Sequence, residues 1–245
     1  MNVGSPPRPR LSWCAGLPRT RLFSGPADRR IQRALCIVAH PDDIDFFCAG
    51  TVALMTRRGV QVDFVLATSG DKGTRDPALS GDELAARRES EQMASAARLG
   101  ASRVEFLRYR DAELVESLEL REALVREIRR SRPHVLFTFD PLPAHRQHPD
   151  HRVIGRVALD AAWPCARDPL SYPDAGAAHE TAEAWLFGSP PGAPPPSLTV
   201  DVAEVLELKI GARLEHASQT PSPVRLRSRW RRVAGQERFQ QVDLR

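Results

Sequence analysis

The stretch CIVAHPDDIDFFCAGT, Cys36–Thr51, decides how the rest of the chain is read. It contains the end of an apolar run, ALCIVA (34–39), which breaks at once into His40, Pro41, Asp42 and Asp43, with a further acid at Asp45. An unbroken apolar run without polar alternation marks a strand buried on both faces, as in a parallel sheet covered by helices. Pro41 has no backbone N–H to donate and stops the strand from continuing. The charged turn therefore lies at the carboxyl end of a central strand, where open parallel sheets build their sites. A phosphate loop at that point needs glycines and free N–H groups. This turn offers carboxylates, which repel phosphate, so the nucleotide reading fails on electrostatics.

Working outward, strands and helices alternate. Further strands are predicted at VQVDFVLAT (60–68), RVEFLR (103–108) and HVLFTF (134–139), with late strands at AEAWLF (182–187) and LTVDV (198–202). The spacing predicts helices over GTVALMTRRG (50–59), over 83–100 with Ser80 or Asp82 as cap and Gly100 as stop, and over 117–133 ended by Pro133. Others are predicted at 151–163 and, as the last long helix, at 202–217. A long polar loop, SGDKGTRDPALSGD (69–82), and a proline-rich connection, GSPPGAPPPS (188–197), are expected to shape a pocket. The pattern implies an α/β fold: a Rossmann-like, doubly wound, mostly parallel sheet flanked by helices, forming one domain over 34–245.

The net charge of +4 is unevenly placed. Residues 1–33 carry seven arginines and one acid, Asp28, which leaves the remainder near −2. That Pro-, Gly-, Ser- and Arg-rich segment is expected to be a disordered basic tail. The basic stretch RLRSRWRR (225–232) reads as solvated surface. With a nearly neutral body and only 6% aromatics, a nucleic-acid partner is not expected. No run approaches the ~18 apolar residues that span a bilayer. Cys14, Cys36, Cys48 and Cys165 form no C-x-x-C pair and read as reduced thiols of a cytoplasmic protein. The heavy use of Ala, Arg, Gly and Pro suggests a GC-rich bacterial genome.

A second polar cluster, DPLPAHRQHPDHRV (140–153), follows the fourth strand. His145, His148 and His151 recur every three residues, and Asp150 lies between the last two. Strands 1 and 4 adjoin at the switch point of this topology, so the two loops can meet. Two histidines and one carboxylate with an open position make a catalytic zinc site. Spacing alone leaves open whether His145 replaces His148 or His151 as a ligand.

AHPDD (39–43) and HPDH (148–151) resemble the two signature motifs of the LmbE-like/PIG-L family of zinc-dependent N-acetylglucosaminyl deacetylases. TSGDKGT (68–74), RRESEQMASAARLG (87–100) and HASQ (216–219) resemble other segments of that family. The resemblance implies that His40, Asp43 and His151 bind Zn2+, although another divalent metal can suit such ligands. It implies Asp42 as general base, a protonated His148 stabilising the oxyanion and held by Asp150, and Arg88 and Asp111 near a small glycoconjugate substrate. The expected reaction is removal of an acetyl group from an N-acetylglucosamine-type amide. The alternatives are another amide or acyl hydrolysis on the same metal scaffold, or a catalytically decayed zinc or sugar-binding module. Two positions depart from the family pattern. Ile44 stands where a Glu is usual, with Asp45 as a candidate replacement. A pocket tyrosine is absent, with His145 or Arg146 as candidates.

Overall fold

The structure is a computed structural model that describes residues 31–142, 147–188 and 195–245. Most of the basic tail, His145, Arg146 and most of the proline-rich connection lie outside the described residues.

The opening stretch sits at the centre of the sheet. β1 (Arg33–Val38) pairs in parallel with β2 (Gln61–Thr68) on one side and β4 (Val135–Phe139) on the other. β3 (Arg103–Tyr109) lies outside β2, and β5 (Glu183–Phe187) lies outside β4. With β6 (Leu198–Asp201) and β7 (Gln236–Asp243) the seven-stranded order is β3-β2-β1-β4-β5-β7-β6, so the winding reverses between β1 and β4, as expected for a doubly wound sheet. Continuous apolar β1 and β4 are buried almost throughout, because helices cover both faces.

The helices follow their capping signals. α1 (Asp43–Phe47) starts directly after the charged turn and breaks at Cys48, and α2 (Ala49–Arg57) continues after it. α3 (Gly81–Leu99) resolves the choice of cap. Ser80 accepts from Glu83 N–H while the Glu83 carboxylate reaches back to Ser80, and Gly100 closes the helix at φ 78°. α4 (Leu118–Ser131) is capped by Ser117, and its C-cap, Arg132, precedes Pro133. α5 (Pro149–Asp160) begins at the HPDH motif, with His148 as N-cap and Pro149 in the first turn, slightly before the predicted start.

The C-terminal third differs from expectation. The predicted last helix is shorter, α6 (Leu206–Glu215), and is not the last. The basic stretch forms α7 (Pro223–Val233), which is mostly exposed but buries Trp230. β7 (Gln236–Asp243) then inserts antiparallel between β5 and β6 (Leu198–Asp201). The sequence QERFQQVD conceals this strand, because the alternation that buries Phe239 also buries Glu237, a charge that reads as surface. Among the described residues, no helix is long and apolar enough to cross a membrane.

Candidate active site

The turn after β1 is held in place before any side chain faces the cleft. Thr68, at the end of β2, donates from both N–H and Oγ1 to the Ala39 carbonyl. The Asp43 carboxylate folds back to accept the His40 N–H at 2.8 Å. Asp42 adopts φ 86°, a left-handed conformation tolerated by few non-glycine residues, and its N–H donates to Gln92 Oε1. This twist lets the two adjacent acids point apart.

The second motif meets the first across the switch point. His151, in the first turn of α5, stacks on Phe139 with ring centroids 3.8 Å apart. One turn later, a Cβ on Gly155 would lie 2.4 Å from the Phe139 carbonyl, so glycine lets α5 approach β4 this closely. His151 Nε2 lies 3.2 Å from His40 Nδ1 and 3.1 Å from Asp43 Oδ1. One ligand atom from each of His40, Asp43 and His151 falls within 4.8 Å of the others. This donor set, two imidazole nitrogens and a carboxylate, fits a divalent metal of the zinc type.

A second possible grouping, His40 with His148 and Asp150, fits less well. It would need the other ring nitrogen of His40. That Nε2 instead lies 3.1 Å from Asp111 Oδ1 and 3.2 Å from Asp150 Oδ2. Asp150 is fully buried and already accepts the Ala112 and Leu114 N–H groups. A histidine whose far nitrogen donates to carboxylates while its near nitrogen faces the ion is the usual arrangement behind a bound metal.

The electrostatics agree. Burial lowers the His40 pKa, but hydrogen bonds to Asp111, Asp150 and Asp43 outweigh it, and the imidazole is pushed up to about 11. Burial pushes Asp43 up, yet His151 and His40 hold its carboxyl well below the usual range. Asp42 behaves oppositely. Burial and the charge of Asp43 push it up to about 6, against the pull of Arg88 and Arg213. Neighbours in sequence thus become a permanent anion and a group that titrates near neutrality.

Several expected roles meet different partners in the structure. Asp150 holds His148 through its backbone: its N–H donates to His148 Nδ1 at 3.3 Å, whereas its carboxylate lies 4.0 Å away and serves His40. Without a bound metal, His148 also holds a proton less readily than an ordinary imidazole. Burial and the nearby His40 charge lower its pKa, and its Nδ1 is used as an acceptor. A neutral ring of this tautomer still offers Nε2–H as a donor. Arg88 is buried, donates to the Gly70 and Pro41 carbonyls and lies 3.5 Å from Asp42 Oδ1, so it braces the turn from behind. A Cβ on Gly70 would fall 2.2 Å from its guanidinium, which explains the glycine there. Asp111 is likewise buried against His40. Ile44 lies in the core, and Asp45 is fully buried beside it. Asp45 binds Ser95 Oγ at 2.6 Å and His216 Nε2 at 2.9 Å. The sequence reading missed Arg213, whose Nη2 lies 3.5 Å from Asp42 Oδ2. Its one signal is its position one turn before the HASQ motif on α6.

Fold and site together define a doubly wound α/β protein with a His–Asp–His cluster of metal-ligand type at its switch point. The chain belongs to the PIG-L family: the family model described as GlcNAc-PI de-N-acetylase matches residues 35–162. It is 34% identical to the diacetylchitobiose deacetylase of Thermococcus kodakarensis over 79% of this chain and 72% of that one. The solved N,N'-diacetylchitobiose deacetylase of Pyrococcus horikoshii superposes with a TM-score of 0.80 at 30% identity, covering 88% of this chain and 85% of the other. The 4-carboxy-2-hydroxymuconate hydratase of Pseudomonas putida also superposes, with a TM-score of 0.74 at 22% identity over 88% of this chain and 98% of that one. That likeness shows a shared fold alone.

Proposed function

We propose that this chain is a metal-dependent N-deacetylase that hydrolyses the acetamide of an N-acetylglucosamine-type unit in a small glycoconjugate, with zinc as the resident ion. The observation that carries the reading is the convergence of His40 Nδ1, Asp43 and His151 Nε2 beside Asp42, whose carboxyl is pushed up to about 6. Family membership and the two chitobiose deacetylase relatives support it.

Zinc held by His40, Asp43 and His151 would act as a Lewis acid and lower the pKa of a bound water from 15.7 toward about 7. Asp42 accepts a proton from the attacking water, and a new C–O bond forms at the acetamide carbon. His148 donates Nε2–H to the developing oxyanion, a contribution of about 2.7–4 kcal/mol for one well-placed donor. Asp42 then gives its proton to the leaving nitrogen as the C–N bond breaks, releasing acetate and a free amine. Asp111 and Asp150 keep His40 in the tautomer that presents Nδ1, and their proximity to its Nε2 supports this positioning role. The free thiols Cys36, Cys48 and Cys165 support a reducing, cytoplasmic setting.

The test is acetate release from a panel of N-acetyl sugars, including N,N'-diacetylchitobiose and N-acetylglucosaminyl conjugates, with metal content measured on the same sample. Acetate formation that tracks metal content is the expected result. A metal-loaded protein that releases no acetate from any of them, yet cleaves longer acyl amides, would move the activity to the broader hydrolase class.

A further inference from the structure

The Asp42 carboxylate is approached by two guanidinium groups, one at each oxygen: Arg88 Nη2 at 3.5 Å from Oδ1 and Arg213 Nη2 at 3.5 Å from Oδ2. Both distances exceed a good hydrogen bond but lie well within ion-pair range. The lone pairs of Asp42 are therefore not tied up, yet the carboxylate plane is aimed by two fixed charges. A single arginine would leave the group free to swivel about its side-chain torsions.

Arg213 is built to be immobile. It is buried at the end of α6, donates from Nη1 to Thr220 Oγ1 at 2.7 Å and from Nη2 to the Gln219 carbonyl at 3.0 Å, and lies 4.5 Å over the Phe46 ring. Phe46 belongs to α1, the helix that opens with the ligand Asp43, so Arg213 is packed against the element that carries the site. Among the described residues its Nε has no hydrogen-bond partner, and neither has that of Arg88. A buried donor without a partner is destabilising.

We propose that Arg213 is a positioning residue for the deacetylation: with Arg88 it clamps the Asp42 carboxylate, one oxygen each, in the orientation from which Asp42 moves the proton. This rests on the reading of Asp42 as the base. A displacement of about 1 Å in a catalytic group costs on the order of 10²-fold in rate, which sets the size of the effect.

The experiment compares zinc-loaded wild type, Arg213→Gln, Arg213→Lys, Asp42→Asn and the double variant Asp42→Asn/Arg213→Gln. The substrate is N,N'-diacetylchitobiose or whichever panel sugar is hydrolysed fastest. Arg213→Gln is expected to lower kcat about 30- to 100-fold, with KM within about threefold and metal stoichiometry unchanged. Arg213→Lys should recover about tenfold of that loss, since it keeps the charge but not the planar fork. In the Asp42→Asn background the same glutamine substitution should cost less than about threefold, because the group it positions is gone. The inference is overturned if Arg213→Gln keeps full kcat while Asp42→Asn is inactive, if its loss lies in KM, or if its cost is undiminished beside Asp42→Asn. Full turnover by metal-loaded Asp42→Asn would instead overturn the base assignment itself. Should Arg213→Gln fail to fold, Arg213→Lys decides alone, with a loss of about 3- to 10-fold in kcat expected and an unchanged kcat overturning the idea.

Discussion

Two of the buried charge clusters in this fold are satisfied in opposite ways. Glu237, on β7, accepts Gly50 N–H and Lys209 Nζ on one oxygen and Thr51 N–H and Oγ1 on the other, at 2.6–2.8 Å. One acid faces one amine, every lone pair has a donor, and the carboxylate sits at the N-terminus of α2, where the helix dipole favours it. The cluster at the switch point is the reverse. Asp43, Asp111 and Asp150 surround His40, and the nearest ring nitrogens of His40 and His151 face each other at 3.2 Å. Carboxylates outnumber cations there, which is why His40 is drawn up to about 11 when protons alone must balance them. A saturated, neutral cluster holds a fold together. An excess of inward-facing acids and paired imidazoles calls for a cation.

The sharpest way to break the comparison is to remove a proposed metal ligand from the second cluster. His151→Ala is expected to abolish tight metal binding and reduce turnover to background while the circular dichroism of the fold is retained. Elemental analysis showing unchanged metal would remove His151 from the ligand set. Next in size, Asp42→Asn should keep full metal and lose about 10²–10⁴ in kcat. A variant with full metal and full turnover contradicts the base role.

The structural cluster should respond in stability instead. Glu237→Ala strands the Lys209 ammonium in the core and is expected to cost about 3–5 kcal/mol in urea unfolding. The acetate-release rate per folded molecule should stay the same. A drop in that rate at unchanged stability would show that the two clusters are coupled.

A smaller effect comes from Asp42 in the metal-free protein. Its folded pKa of about 6 lies above the ordinary carboxyl value of 3.8, so the folded state holds this proton more tightly than the unfolded one. The stability it contributes is fully present below pH 3.8 and is lost as pH rises through about 6. Asp42→Asn should therefore make the metal-free protein more stable than wild type at pH 7, by on the order of 2 kcal/mol, with the advantage vanishing by pH 4. Equal unfolding midpoints for the two proteins at both pH values would contradict this. The smallest effect belongs to the surface. Glu207 pairs with Arg227 and Arg231 of α7, and all three are exposed. Glu207→Gln is expected to leave the unfolding midpoint unchanged in 0.15 M salt, whereas a clear shift would give α7 a structural weight its exposure does not suggest.

Reading the sequence reached furthest where information is local. β1, its proline stop, the cap at Ser80 and the helix that follows the HPDH motif are each written in a few consecutive residues, and each forms close to its expected place. The pairing of β1 with β4, and thus the meeting of the two motifs, followed from topology rules that depend only on element order. Reading failed at β7, where Glu237 looks solvated until its partners from α2 and α6 are known. At Arg88 and Asp111, where a substrate contact is expected, the structure adds a bracing contact to the first turn and to His40 that the sequence does not reveal.

The sequence by itself determined the strand–helix alternation, the central position of β1 and the two histidine–aspartate motifs at its switch point, because hydrophobic period and turn chemistry act over a few residues. Only the tertiary structure decided which nitrogen of His40 faces His151, that Asp150 serves His40 through its carboxylate, that Asp42 and Asp43 titrate far apart, and that Arg213 reaches the first turn. Those outcomes depend on burial and on Coulomb contacts of a few ångströms between segments distant in the chain, and such distances exist only after folding.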